Sequence, residues 1–152
     1  MSEPVSLPRT YRPFGARLVA GVAGLLIIGL MTFLWLMLPG SVRDDFGILQ
    51  RITLVATFVL ILAILYALFR TMACAEDTGL TIINGYRKRH YEWAQVVSIS
   101  LTPGKPWALI DLADGSTVSV MALQSADGAR ASRSARELAG VIARYSRTDR
   151  DN

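Results

Sequence analysis

The chain has one cysteine (Cys74), one histidine (His90) and two lysines (Lys88 and Lys105) in 152 residues. A lone cysteine excludes an internal disulfide. Set between Ala73 and Ala75, it reads as a small apolar side chain rather than a nucleophile. A lone histidine with no cysteine beside it lacks the company that a zinc site requires, and on a strand next to Arg89 and Tyr91 it is expected at the surface. No phosphate-cradling glycine loop or nucleophile elbow occurs. Asp111 and Asp114 are the nearest approach to a carboxylate pair. A turn with Gly115 accounts for Asp114 and an exposed strand face for Asp111. No catalytic residue, metal or cofactor is therefore expected, and the chain is not read as an enzyme. Charge is also scarce: 18% of residues are charged and 52% hydrophobic, a balance that leans away from a soluble domain.

The apolar residues are concentrated in two blocks. Leu18 to Leu38 is a run of 21 residues without a charge, and Ile52 to Phe69 a run of 18. At helical rise these span about 31 Å and about 27 Å, which suits a hydrocarbon core. Arg17, Arg51 and Arg70 flank them and Trp35 lies near the end of the first, as interfacial residues do. Pro39-Gly40 stops the first helix. The first run is too long for a signal-peptide core and no small-residue cleavage pattern follows it, so it is expected to be a retained anchor. Neither run carries an ionisable residue, which argues against a channel or transporter acting alone. Ala16, Ala20 and Gly24 share one helix face, as do Ala56, Ala63 and Ala67 on the second. Such faces let helices approach closely in lipid. They suit an intrachain hairpin first and a homodimer second. Lys and Arg counts favour cytoplasmic termini, with residues 39–51 outside, in the inner (plasma) membrane.

Net charge is +4. Residues 71–152 carry ten bases against nine acids and are nearly neutral, which argues against a nucleic-acid partner. Here the pattern becomes alternating. Strands are predicted at Gly79–Ile83, Tyr86–Tyr91, Val96–Leu101, Trp107–Leu112 and Thr117–Leu123, with a further short one at Met72–Ala75. Asn84-Gly85 and Asp114-Gly115 are hairpin turns and Thr102 to Pro106 a longer turn. Val97, Ile99 and Leu101 are expected on one face, and Val118, Val120 and Ala122 on another. From Ala129 to about Tyr145, Ala131, Ala135, Leu138, Val141, Ile142 and Tyr145 form one helical stripe, with Ser125 or Asp127 able to cap its start. The reading is thus an α+β chain. It has an N-terminal segment (1–15, with Met1 to Arg12 extended and mobile) and a two-pass hairpin (16–70, helices about 18–38 and 52–69). An antiparallel domain closed by one helix follows (71–146), and a mobile tail ends the chain (147–152).

Five stretches carry a resemblance. They are Asp77-Thr78-Gly79-Leu80-Thr81, Asn84-Gly85, Arg89 to Val96, Gly104-Lys105-Pro106-Trp107 and Leu112-Ala113-Asp114-Gly115. Residues 72–145 resemble a bacterial pleckstrin-homology-like (PH-like) domain, most closely the actinobacterial low-molecular-weight antigen PH family. The resemblance implies a bent antiparallel sheet or partly open barrel capped by a C-terminal helix, and a binding scaffold rather than a particular activity.

The leading functional expectation is a membrane-anchored module that presents its domain to a membrane or cytoplasmic protein, with Arg130, Arg133 and Arg136 as the partner surface. The alternative is an anionic-lipid module using Arg87, Lys88 and Arg89. Alternation places Arg87 and Arg89 on one face and Lys88 and His90 on the other, so the expectation is a weak, salt-sensitive attraction without headgroup selectivity. Trp93 and Trp107 are both expected to pack in the domain.

Overall fold

The computed structural model describes residues 6–148, and the expectations for Met1 to Val5 and for the tail beyond 148 lie outside the described residues. The chain divides into two compact units. One is residues 16–69; the other combines the segment up to Gly15 with everything from Arg70 onward.

The first unit is a helical hairpin. Helix α1 (Phe14–Met37) and helix α3 (Ile48–Arg70) are long and apolar enough to cross a membrane. They are joined through a short helix, α2 (Gly40–Asp44), inside the 39–51 connection. The Pro39 carbonyl receives the Val42 and Arg43 N–H groups and so starts α2. Ala20 is the only residue of either long helix that is buried, and a Cβ on Gly24 would lie 3.9 Å from the Leu65 side chain. Ala16 is half-buried on the same face.

The second unit holds two antiparallel sheets and a helix. Strands β1 (Arg9–Tyr11), β2 (Met72–Glu76), β3 (Gly79–Asn84) and β4 (Arg87–Glu92) form one sheet in that order. Strands β5 (Val96–Ser100), β6 (Trp107–Leu112) and β7 (Thr117–Gln124) form the other. The sheets do not close into a barrel. Helix α4 (Ala129–Thr148) buries Ala131, Ala135, Leu138, Val141 and Ile142. This is the predicted stripe, and it covers a core of Leu80, Ile82, Val96, Ile110 and Val120 among others. A sheet leaves one apolar face needing a partner, and the amphipathic helix supplies it.

Four local expectations are corrected. First, the segment ahead of the hairpin, read as extended and mobile through Arg12, contains a strand: Arg9, Thr10 and Tyr11 pair with Ala75, Cys74 and Ala73. Tyr11 is buried in the core, and Arg9 reaches Glu137 of α4 at 3.5 Å. Second, the first hairpin turn lies one residue later than read. Asn84 pairs with Arg87 inside the ladder and the loop is Gly85-Tyr86. Gly85 has φ of 60°, so glycine at the first loop position supplies the turn that matches strand twist. Third, Val97 is exposed and Val96 buried, because a register shift between Val96 and Ser98 rotates the start of β5. Fourth, the Asp127 carboxylate does not cap α4. It receives the N–H of Phe14 at 2.8 Å and of Gly15 at 2.9 Å, the first two helical residues of α1.

Candidate functional site

Strand β4 is an edge strand, and its register decides what its bases can do. Arg87 lies opposite Asn84, Arg89 opposite Ile82 and Tyr91 opposite Leu80. Directly paired residues share a sheet face, so Arg87 and Arg89 lie on the side where Ile82, Leu80 and Tyr91 enter the core. Past the buried Tyr91 the sheet runs out of cover, and both guanidinium side chains reach an open corner between the sheets. There they line a cavity of about 210 Å³ together with Ile82, Asn84, Thr117, Val118 and Ser119. Lys88 lies opposite Ile83 and His90 opposite Thr81, on the outer face. The His90 ring shares a 2.9 Å hydrogen bond with the Thr81 hydroxyl.

The cavity wall is fixed from behind. The Asn84 amide donates to the Ser119 carbonyl at 2.6 Å and its oxygen receives the Met121 N–H at 3.1 Å, which ties β3 to β7. The Thr117 hydroxyl donates to Asp111, whose other carboxylate oxygen receives the Ser98 hydroxyl at 2.7 Å. Asp111 is therefore a clasp across β5, β6 and β7. Asp114 accepts the Ser116 N–H at 2.8 Å within its turn, and hydrogen bonding from the Ser116 side chain, with this N–H second, holds its carboxyl below the usual range. Among the described residues neither Arg87 nor Arg89 forms an ion pair. Two arginines line the cavity and no carboxylate does, which suits a phosphate-type anion.

The hairpin tip beside this cavity is anchored to the chain's exit from α3. The Gly85 N–H donates to the Thr71 hydroxyl at 3.2 Å, and the Arg70 guanidinium lies 5.7 Å from the centre of the Tyr86 ring. Arg70 is the last residue of α3. Arg87 follows Gly85 by two residues and Arg89 by four, so at strand rise the cavity begins about 7 Å from Thr71.

The other sequence candidates do not converge. Arg130 lies over the Phe14 ring at 4.4 Å, and the Arg136 Nε donates to the Ser132 carbonyl at 3.2 Å. Arg133 is exposed on α4. Cys74 is half-buried, 3.5 Å from the Thr10 hydroxyl. Trp93 is buried, donates to the Glu76 carbonyl at 3.0 Å and stacks on Tyr145 at 5.2 Å. Trp107 is only half-buried. Among the described residues no group of three or more His, Cys, Asp or Glu side chains is placed to hold a metal. The pattern of the sequence does not reveal the contribution of β7, whose residues 117–119 line the cavity.

Comparison with known proteins adds a likeness. Residues 70–140 match the family model described as Bacterial PH domain. Relatives that are 36% identical over 69 residues include uncharacterized proteins of Mycobacterium bovis and of two Mycobacterium tuberculosis strains. The match covers 45% of this chain and 45% of each relative, so it spans less than half the length of either. No solved structure matches. Over residues 70–140, then, this chain is similar to the bacterial PH domains, a family of binding modules in general.

Proposed function

We propose that the protein is a membrane-anchored module that recognises an anionic lipid headgroup through the Arg87–Arg89 cavity. The observation that carries this is the convergence of Arg87 and Arg89 on one small cavity without a carboxylate in its lining. The nearness of the hairpin tip to Arg70 supports a ligand that stays in the bilayer rather than one arriving from solution. The protein-presenting reading loses ground on the same geometry. Of its three arginines, Arg130 is engaged with Phe14 and Arg136 with its own helix. The hairpin would sit in the inner membrane with both flanks cytoplasmic, where anionic lipid attracts bases. Mycobacterial relatives favour the narrower likeness to the actinobacterial low-molecular-weight antigen PH family.

The test is a titration of the full chain in neutral detergent with short-chain phosphatidylinositol and phosphatidylglycerol at physiological salt. Saturable binding is expected, with a preference between the two headgroups. Arg87→Ala or Arg89→Ala should weaken it roughly tenfold or more, the worth of a charge-assisted hydrogen bond. Lys88→Ala, on the outer face, should leave it unchanged. If Lys88→Ala weakens binding as much as the others and salt abolishes it, the attraction is diffuse and the cavity is not the site.

A further inference from the structure

The helical hairpin carries a second cavity that the PH-like unit does not explain. Near Ala20 and Gly24 the helices of the hairpin meet, Gly24 facing Leu65. Toward the connecting loop they part and leave a cleft of about 620 Å³. Its lining is large and apolar, including Leu34, Trp35, Phe46, Phe58 and Leu62, and Arg51 is the one charged residue in it. The volume falls within the range of small-molecule sites, about 300–1,000 Å³.

We propose that this cleft is a lipid site: it holds a hydrocarbon chain of an anionic phospholipid from the loop-side leaflet, with the headgroup on Arg51. Two properties of the lining select this occupant. Helices that pack in lipid need small residues at the contact, and here Ala16, Ala20, Gly24, Ala63 and Ala67 sit toward the opposite end of the hairpin. The bulky lining keeps a second helix at a distance but accommodates a flexible chain. Charge selects the headgroup. The Arg51 guanidinium spends its Nε and one terminal nitrogen on the carbonyls of Phe46 and Arg43, at 2.9 Å and 2.8 Å. These two bonds leave the other terminal nitrogen as the donor for a phosphate, and no carboxylate lines the cleft to compete for it. The Arg43 side chain donates to the Leu38 carbonyl just past the end of α1, and Leu38 itself lines the cleft. Trp35 and Phe46 meet edge to face at 6.0 Å and form the wall beside it.

Trp35 is a reporter already in the cleft. The full chain is reconstituted in bilayers whose phosphatidylglycerol or phosphatidylcholine carries brominated acyl chains, at equal mole fraction. Trp35 emission is the difference between the parent and Trp35→Phe. Brominated phosphatidylglycerol is expected to occupy the cleft roughly fivefold more readily than the neutral lipid, the effect of one base near an anionic headgroup. Arg51→Gln should equalise the two lipids and Arg51→Lys should keep the preference, which separates charge from the loop bonds that Arg51 also makes. Arg87→Ala should change nothing, so the site stands or falls apart from the cavity on β4. Equal quenching by both lipids in the parent overturns the proposal. So does a Trp35 that neither lipid reaches, as when a second copy fills the cleft.

Discussion

Asp127 is the residue whose role differs most from its local context. It sits two residues ahead of α4, yet its carboxylate takes two N–H groups at the start of α1, more than a hundred residues earlier. The first turn of a helix has unpaired donors and a partial positive charge, and a carboxylate satisfies both. Asp127→Ala is expected to cost about 0.5–2 kcal/mol, read as a lower unfolding midpoint of the full chain in detergent, with Asp127→Asn, which keeps one acceptor and sets its NH2 against the other N–H, recovering only part of it. Tyr11 gives a pH signature. Burial, assisted by Glu137, pushes its hydroxyl up to about 12 from an ordinary 10.0. The folded state therefore holds the proton more tightly, and this contribution is complete below the ordinary value and lost as pH rises toward 12. The Tyr11 hydroxyl is also buried without a hydrogen-bond partner among the described residues. Tyr11→Phe should thus be neutral or slightly stabilising at pH 7 and should flatten the alkaline fall in a pH series of unfolding midpoints. For the tryptophans the expectations part. Trp93→Ala removes a buried, stacked and hydrogen-bonded ring and should cost about 3–5 kcal/mol, while half-buried Trp107→Ala should cost clearly less in the same measurement.

At the scale of elements, strands β2 to β7 and helix α4 were legible because each carries its own signal: alternation, a glycine turn, or a helical stripe. The α+β class and the PH-like likeness followed from that order. Strand β1 was not legible. Three residues between Pro8 and Pro13 are too short to show a period, and their partner lies beyond the whole hairpin. The bulge at Val96 and the displaced turn at Asn84 were invisible for a related reason. Local periodicity assumes an unbroken ladder, and in both places tertiary packing chose another register. The candidate site was half legible: Arg87 and Arg89 stood out, but nothing in the sequence could say that β7 would close their cavity. A fragment beginning at residue 71 lacks β1 and leaves the β2 edge open. It is expected to melt below the full chain's domain or to aggregate through that edge, and a peptide spanning residues 6–15 should restore it in trans. A fragment as stable as the parent domain would assign β1 no structural weight.

At the scale of the whole molecule, the hairpin is an insertion within a domain rather than an anchor placed ahead of one. The sheet begins before α1 and resumes after α3. Strand β1 is made first, and more than fifty residues of apolar helix and loop follow before β2 can pair with it. If both helices cross a membrane, only an even number of crossings returns β2 to the side where β1 lies. A chain in which one of the two helices failed to insert would then be expected to keep its first strand apart from the other six and to leave β2 with a bare edge. On that topology, insertion and folding would each be the condition for the other.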